Sequence, residues 1–183
     1  MERCISMSIE DFEQAADALG PCELVRGKVI PMVPGGFFHS NASANILTLL
    51  RVHCRKVKCG RVIGNEAGVV TEDFPGTVRG ADVLYISYKR RPKNHPNPGF
   101  VRQIPELTVE VLGVSDSWKK LEEKVAEYHK LGVDLVWVAD PKSRSVCIYP
   151  KGGKPVLKHE NETIDGGKVL PKFKCKIARF FED

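Results

Sequence analysis

The sequence predicts an α/β fold in which helices flank a mixed central β-sheet. Two amphipathic helical patterns, at about residues 39–59 and 117–131, stand on either side of three runs rich in apolar and β-branched residues. The second pattern leads directly into residues 135–139, a wholly apolar run typical of a strand covered on both faces. This order of helix, three strands, helix and further strands indicates an α/β arrangement.

A short helix and a β-hairpin precede the first long helix. Ser8 is a suitable helix N-cap, apolar residues follow it at helical spacing, and Gly20 ends the segment. Two apolar runs, residues 22–25 and 28–33, then flank the two-residue turn Arg26-Gly27. This spacing predicts an N-terminal β-hairpin.

The central region contains one long helix and three strands. The helix at residues 39–59 ends in basic residues before Gly60, as the helix dipole favours. Strand-like runs follow at residues 61–70, 81–87 and 107–112. We expect these strands to form the centre of the sheet, with any chemistry at their ends and in the loops.

The C-terminal part continues the sheet and ends in a β-rich tail. The helix at residues 117–131 has Gly132 as its C-cap, and residues 145–149 form one more strand. We find no internal repeat and no second domain in the sequence. We therefore expect a single domain over residues 1–183, with a core at about 22–149 and a C-terminal hairpin extension at 150–183.

The composition excludes several classes of protein. The chain has 183 residues, of which 42% are hydrophobic and 28% charged, which argues against a disordered, collagen-like or membrane-spanning chain. Its longest uninterrupted apolar run, residues 135–139, is far shorter than the roughly 20 residues that a membrane helix needs. Acidic residues near the N-terminus argue against a signal peptide. We therefore expect a cytoplasmic protein without a membrane partner, whose scattered cysteines are reduced.

Two carboxylates are embedded in apolar strand segments. Asp82 precedes Val83, and Glu110 lies between Val109 and Val111. Burying a charged group costs several kcal/mol unless it is paired or bound to a cation. Two such residues on neighbouring strands suggest a shared divalent ion. The alternative is that each carboxylate faces solvent at the end of its strand.

Lys124 is the third candidate. On a helical wheel it falls beside the apolar stripe of its helix, next to Tyr128, whereas Lys120 points elsewhere. A lysine in this position can snorkel to the rim of the core. It can equally reach a carboxylate cluster on the sheet, where its ammonium would orient a water and offset charge on a phosphate.

Several segments agree in order and spacing with one nuclease family. They are residues 23–32 of the hairpin, His39 at the start of the long helix, residues 79–83 around Asp82, residues 105–112 around Glu110, and residues 124–128, 131–133 and 136–141. Over roughly residues 22–149 the chain resembles the Uma-type restriction endonuclease family of the PD-(D/E)XK nuclease superfamily. The resemblance implies a restriction-endonuclease-like core.

The resemblance also implies roles for the candidate residues. Asp82 and Glu110 would bind Mg²⁺ or Mn²⁺, with the carbonyl of Val111 as a third ligand. The superfamily places a lysine two residues after the glutamate, but Leu112 stands at that position here. In this family the resemblance implies that the lysine has moved to the helix, so that Lys124 takes its role.

Three further residues are weaker candidates. The resemblance implies that Glu23 supports or adds to the metal site, although an exposed glutamate at the end of a strand is the alternative. His39 is a second supporting candidate, whose alternative is a residue that merely begins the helix. Glu66 lies where it could face the same edge of the sheet, which the sequence leaves open.

The long loop between the second and third central strands is basic. Its charge is concentrated in four residues, Lys89, Arg90, Arg91 and Lys93. A loop of this length is usually functional or mobile, so these residues are candidates for nucleic-acid binding. A solvated loop is the equally good alternative.

The sequence therefore predicts an endonuclease that uses Mg²⁺ or Mn²⁺ to hydrolyse phosphodiester bonds in nucleic acid, which we take to be DNA; a homodimer is left open. One alternative is an inactive module that keeps the fold and binds nucleic acid or protein. Another is a metal-dependent hydrolase of a small substrate. Metal-dependent cleavage and affinity for nucleic acid distinguish the three.

Overall fold

Eight strands of the described chain form one sheet, and two more form a separate hairpin. The computed structural model describes residues 6–96, 99–114 and 116–183. The helices are α1 (Ile9–Leu19), α2 (Phe37–Val57) and α3 (Trp118–Leu131), and a 3-10 helix covers Ile177–Phe180. The strands are β1 (Cys22–Val25), β2 (Lys28–Pro31), β3 (Gly60–Glu72), β4 (Thr77–Ser87), β5 (Leu107–Val111), β6 (Leu135–Asp140), β7 (Ser145–Pro150), β8 (Val156–His159), β9 (Thr163–Gly166) and β10 (Leu170–Lys176).

The main sheet is mixed, as the sequence predicts. Its strand order is β2-β1-β4-β5-β6-β7-β8, and β3 pairs with β4 outside this path. The β5–β6 pair is parallel, and the other pairs among the described strands are antiparallel. A parallel pair needs a crossover connection, which α3 provides between β5 and β6. This connection positions α3 over β5.

The two faces of the sheet carry separate cores. Alternate residues of β5, namely Leu107, Val109 and Val111, join the core beneath α2. Glu110 points to the opposite face, where α3 packs through apolar residues that include Leu121 and Val125. The side chains of α3 that face the sheet are therefore the ones that can reach Glu110.

The C-terminal residues complete the core beneath α2. The β9–β10 hairpin and the 3-10 helix contribute fully buried side chains to it, among them Ile164 and Ile177. The ring of Trp137 in β6 lies 5.9 Å from that of Phe173 and 6.1 Å from that of Phe180. Residues beyond 150 thus share one core with the central strands.

The starts of β4 and α2 are among the element boundaries that differ from the sequence prediction. β4 begins at Thr77 rather than at residue 81, because its antiparallel pairing with β3 extends to Glu72. α2 begins at Phe37 rather than at residue 39. Phe37 and Phe38 are 73% and 71% exposed, so the first turn lacks the apolar periodicity that marks the rest of the helix.

The membrane prediction can be compared with the helices directly. Among the residues that the structure describes, no helix has the length and apolar character needed to cross a membrane.

The packing of α2 gives a direct test of the fold. Leu50 is fully buried beneath α2, so Leu50→Ala should lower the free energy of unfolding by about 2–5 kcal/mol. Val52, two residues away on the same helix, is 62% exposed, and Val52→Ala should stay within about 0.5 kcal/mol of the parent. Urea denaturation measures both. An equal loss of unfolding free energy in the two variants would contradict the orientation of α2.

Candidate active site

The site begins where β4 and β5 stop pairing. Their antiparallel ladder pairs Val83 with Val109, and the next step of this register would bring Asp82 opposite Glu110. Instead of continuing the ladder, the backbone N–H of Val111 donates to Oδ2 of Asp82 at 2.7 Å. The two strands therefore open at this point, and the opening brings both carboxylates beside Val111.

Glu110 is almost completely buried and has two side-chain partners. Its Oε1 accepts a hydrogen bond from the Tyr128 hydroxyl at 2.7 Å, and its Oε2 accepts one from Lys124 Nζ at 3.0 Å. Burial raises the pKa of Glu110 to about 7; attraction by Lys124 opposes this rise, and the charge of Asp82 adds to it. Loss of hydration thus outweighs the attraction of Lys124, and this carboxyl group ionises less readily than an exposed glutamate.

Lys124 bridges two carboxylates on the underside of α3. Its Nζ lies 2.8 Å from Oε1 of Glu23 and 3.0 Å from Oε2 of Glu110, and it donates to the carbonyl of Gly80 at 3.2 Å. Burial alone would lower its pKa, but the charges of Glu110 and Glu23 outweigh burial and raise the pKa above its usual value. The ammonium of Lys124 is thus held between α3 and the sheet by these partners. The side chain does not snorkel to the rim of the core.

Glu23 belongs to the same network and is buried, not exposed at the end of its strand. It accepts hydrogen bonds from the backbone N–H of Gly80 at 3.0 Å and from Nη1 of Arg79 at 2.9 Å. Burial opposes its ionisation, but Lys124 and Arg79 together lower its pKa. Arg79 also binds both oxygens of Glu127, at 2.6 and 2.7 Å. This bidentate pair ties α3 to the β4 strand.

His39 holds the other side of Asp82. The first turn of α2 brings its Nε2 to 3.3 Å from Oδ1 of Asp82. The hydrogen bond to Asp82 raises the pKa of His39, against the effect of burial. A Cβ on Gly35 would lie only 2.4 Å from Nδ1 of His39, so the histidine needs a glycine at this position.

A cleft of about 230 Å³ opens next to Asp82. Its walls include His39 and Ser43 from α2 and the pair Asn65 and Glu66 from β3. These two residues form a bulge in β3, with positive φ angles of 68° and 53°. Left-handed backbone in two consecutive non-glycine residues is strained, and such strain clusters at functional sites. Glu66 thus lines the cleft, which answers the question of its position that the sequence leaves open.

The donor set suits a hard divalent cation. Glu23, Glu110 and Glu127 pair with two permanent cations, Arg79 and Lys124, so carboxylates outnumber these cations. Asp82 adds a fourth carboxylate, whose contacts are His39 and the Val111 N–H. Mg²⁺ is commonly held by one or two carboxylates, with waters and substrate oxygens completing its coordination. Within residues 6–96, 99–114 and 116–183, no group of three or more His, Cys, Asp or Glu side chains is arranged to hold a metal. The residues therefore fit a site in which two carboxylates bind the ion and waters or substrate complete its coordination. They do not fit a site in which protein side chains supply all the ligands.

Two of the four basic loop residues are engaged within the protein. Arg90 lies 2.5 Å from Oδ2 of Asp134 and 3.3 Å from Oε1 of Glu106. Arg91 is buried and donates to the carbonyl of Pro96 at 2.9 Å. These two guanidinium groups hold the loop against the sheet.

The other two loop residues, Lys89 and Lys93, are exposed. Nζ of Lys93 lies 5.0 Å from the centre of the Tyr88 ring, a cation–π contact. The loop leaves β4 after Ser87, five residues beyond Asp82. At the rise of a β-strand this is about 17 Å, so the loop begins well away from the carboxylates.

Sequence reasoning missed three members of the network. Tyr128 was assigned only to the apolar stripe of α3, and Arg79 and Glu127 were not singled out. Tyr128 and Glu127 follow Lys124 by four and three residues, which puts all three on one side of the helix. This spacing was an available signal for both. Arg79 had no comparable signal, because its partners come from distant parts of the chain.

Comparisons with known proteins concern the family and the fold of the chain. The family model described as "Uma2: Putative restriction endonuclease" matches residues 9–178. A crystal structure described as "a putative nuclease belonging to DUF820", from Anabaena variabilis, superposes with a TM-score of 0.80 at 16% sequence identity. The alignment covers 96% of this chain and 97% of that chain. A comparison with curated proteins finds no match.

The solved structure shows the fold, because its sequence identity to this chain is low. The family match is independent of the structure and extends from α1 to the 3-10 helix. It covers nearly the whole chain. The chain therefore belongs to the Uma2 family.

Proposed function

We propose that the protein is an endonuclease that requires Mg²⁺ or Mn²⁺ and hydrolyses phosphodiester bonds in DNA. Its family and its nuclease-like fold support a nuclease function. A fold hosts many functions, so the proposal depends on the side chains of the site. The observation that carries it is the ammonium of Lys124 held between Glu110 and Glu23, with Asp82 close enough to Glu110 for its charge to raise the pKa of Glu110.

Asp82 and Glu110 are the proposed ligands of the ion, with the Val111 carbonyl as a further candidate. When bound, the ion would polarise the phosphate and make an attacking water more acidic. The partners of the carboxylates fix their orientation. His39 and the Val111 N–H hold Asp82, while Tyr128 holds Glu110. Such preorganisation reduces the reorganisation needed during the reaction.

Lys124 is the proposed residue that orients the attacking water. Its ammonium has three N–H donors, and Glu23, Glu110 and the Gly80 carbonyl occupy all three. The contact to Gly80 is the longest, at 3.2 Å, so it is the one that a water can replace. A water held there would attack phosphorus as the bond to the leaving oxygen breaks, and the ammonium would offset the negative charge of the transition state.

Mutation of the carboxylates tests the metal site. Asp82→Asn and Glu110→Gln should each remove Mn²⁺ binding measured by isothermal titration calorimetry, because each replaces an anionic ligand by a neutral amide of similar size. Glu106→Gln is the matched control, since Glu106 is also a buried carboxylate beside the sheet but bonds to Ser87. Unchanged affinity in both site variants would refute this assignment.

Mutation of the lysine tests catalysis. Lys124→Ala should slow Mn²⁺-dependent cleavage of plasmid DNA by about 10²-fold or more, because the lost ammonium acts mainly in the transition state. Lys120→Ala removes an exposed lysine one turn earlier and should cleave at the parent rate.

Because Lys124→Ala leaves two buried carboxylates without their shared cation, its stability must be measured as well. Loss of one partner of a buried ion pair costs about 3–5 kcal/mol. Activity is therefore compared where circular dichroism shows the variant to be folded. Full activity in folded Lys124→Ala would exclude the proposed role.

A further inference from the structure

A second cavity, of about 590 Å³, continues from the cleft along α2. Leu47 and Asn65 line both cavities, so the two form one continuous groove. One wall is a stripe of α2 that runs from His39 through Leu47 to Arg55. At 1.5 Å per residue this stripe is about 24 Å long. The other wall is β3, from the bulge at Asn65 back to Gly60.

The part of the groove beyond the cleft is positively charged. Arg51, Arg55 and Arg61 line it, and none of the described residues that line it is acidic. We call this part the arginine groove. Arg51 and Arg55 lie one helical turn apart and are exposed, and neither forms an ion pair with any other residue that the structure describes. They differ in this from Arg79 and Arg90, which are paired with carboxylates.

An aromatic side chain accompanies these charges. Tyr88 lines the arginine groove, and the exposed Lys93 lies over its ring. Nη2 of Arg61 donates to the carbonyl of Lys93 at 2.5 Å, which joins the loop to β3. Grooves that track a single nucleic-acid strand combine positive charge along the backbone with aromatic faces on which bases stack.

We propose that the arginine groove binds the phosphodiester backbone of one DNA strand and leads it to the cleft beside Asp82. This inference rests on the proposed nuclease function, from which we take the bound strand to be DNA. Arg51 and Arg55 contact successive phosphates, and Tyr88 faces the bases. The family description as a restriction endonuclease favours DNA over RNA as the occupant.

The test measures binding of fluorescein-labelled single-stranded DNA by fluorescence anisotropy over a range of salt concentrations, with a chelator present to prevent cleavage. The double variant Arg51→Ala/Arg55→Ala is compared with Lys154→Ala/Lys168→Ala. The control removes the same charge from exposed positions outside the groove. The arginine variant should reduce the slope of log affinity against log salt by about 1.4, since each lost phosphate contact contributes about 0.7. At 0.1 M salt this corresponds to roughly 25-fold weaker binding.

Two results would overturn the proposal. One is an equal loss of affinity in both double variants, which would mean that net charge alone attracts the DNA. The other is tighter binding of a labelled RNA of the same sequence than of the DNA. Circular dichroism establishes that each variant is folded.

A parallel cleavage assay with Mn²⁺ separates this inference from the proposed function. DNA binding that depends on the two arginines, in a protein that cleaves nothing, would support the groove and refute the nuclease proposal. Cleavage by the parent protein, with binding that does not depend on them, would refute the groove alone.

Discussion

The hydrogen bond from the backbone of Val111 to the carboxylate of Asp82 is the contact on which the site depends. It takes the place of the next step of the ladder between β4 and β5, so the two strands open where Asp82 and Glu110 would face each other. The opening is stable because the unpaired N–H, which would be costly if buried without a partner, is satisfied by a charged acceptor.

Because these carboxylates are buried, they need cationic or hydrogen-bonding partners in the surrounding residues. Glu110 is compensated by Lys124 and Tyr128, both from α3. Lys124 also requires Glu23 from the N-terminal hairpin, and Glu23 requires Arg79. Elements from distant parts of the sequence are therefore joined through one charge network. Removal of Lys124 would leave the buried Glu110 without its cationic partner, which is far more costly than the loss of a surface ion pair.

Much of the fold and part of the site geometry could be predicted from the sequence. The periodicity of α2 and α3 and the apolar runs of β4 to β6 are local signals, and the mixed sheet with its flanking helices is confirmed. The apolar context of Asp82 and Glu110 singled out both residues. The structure places Lys124 against Glu110 and Asp82 against the N–H of the neighbouring Val111, while the roles of these residues in metal binding and catalysis stay predictions.

The features that could not be predicted all depend on contacts between residues far apart in the chain. The ion pairs of Arg90 are one example, because its partners Asp134 and Glu106 lie far from it in the sequence. The arginine groove was missed for the same reason. The helix dipole accounts for basic residues at the end of α2, and only the packing of α2 beside β3 shows that Arg51 and Arg55 line a groove that continues into the cleft.

The central claim is that Asp82 and Glu110 together bind a divalent ion where β4 and β5 open. A crystal soaked in Mn²⁺ tests it most directly, because anomalous diffraction locates manganese without reference to any assumed ligand. We expect an anomalous peak in contact with the carboxylates of both residues. A well-ordered site with no peak there, or a peak held by other residues, would contradict the claim.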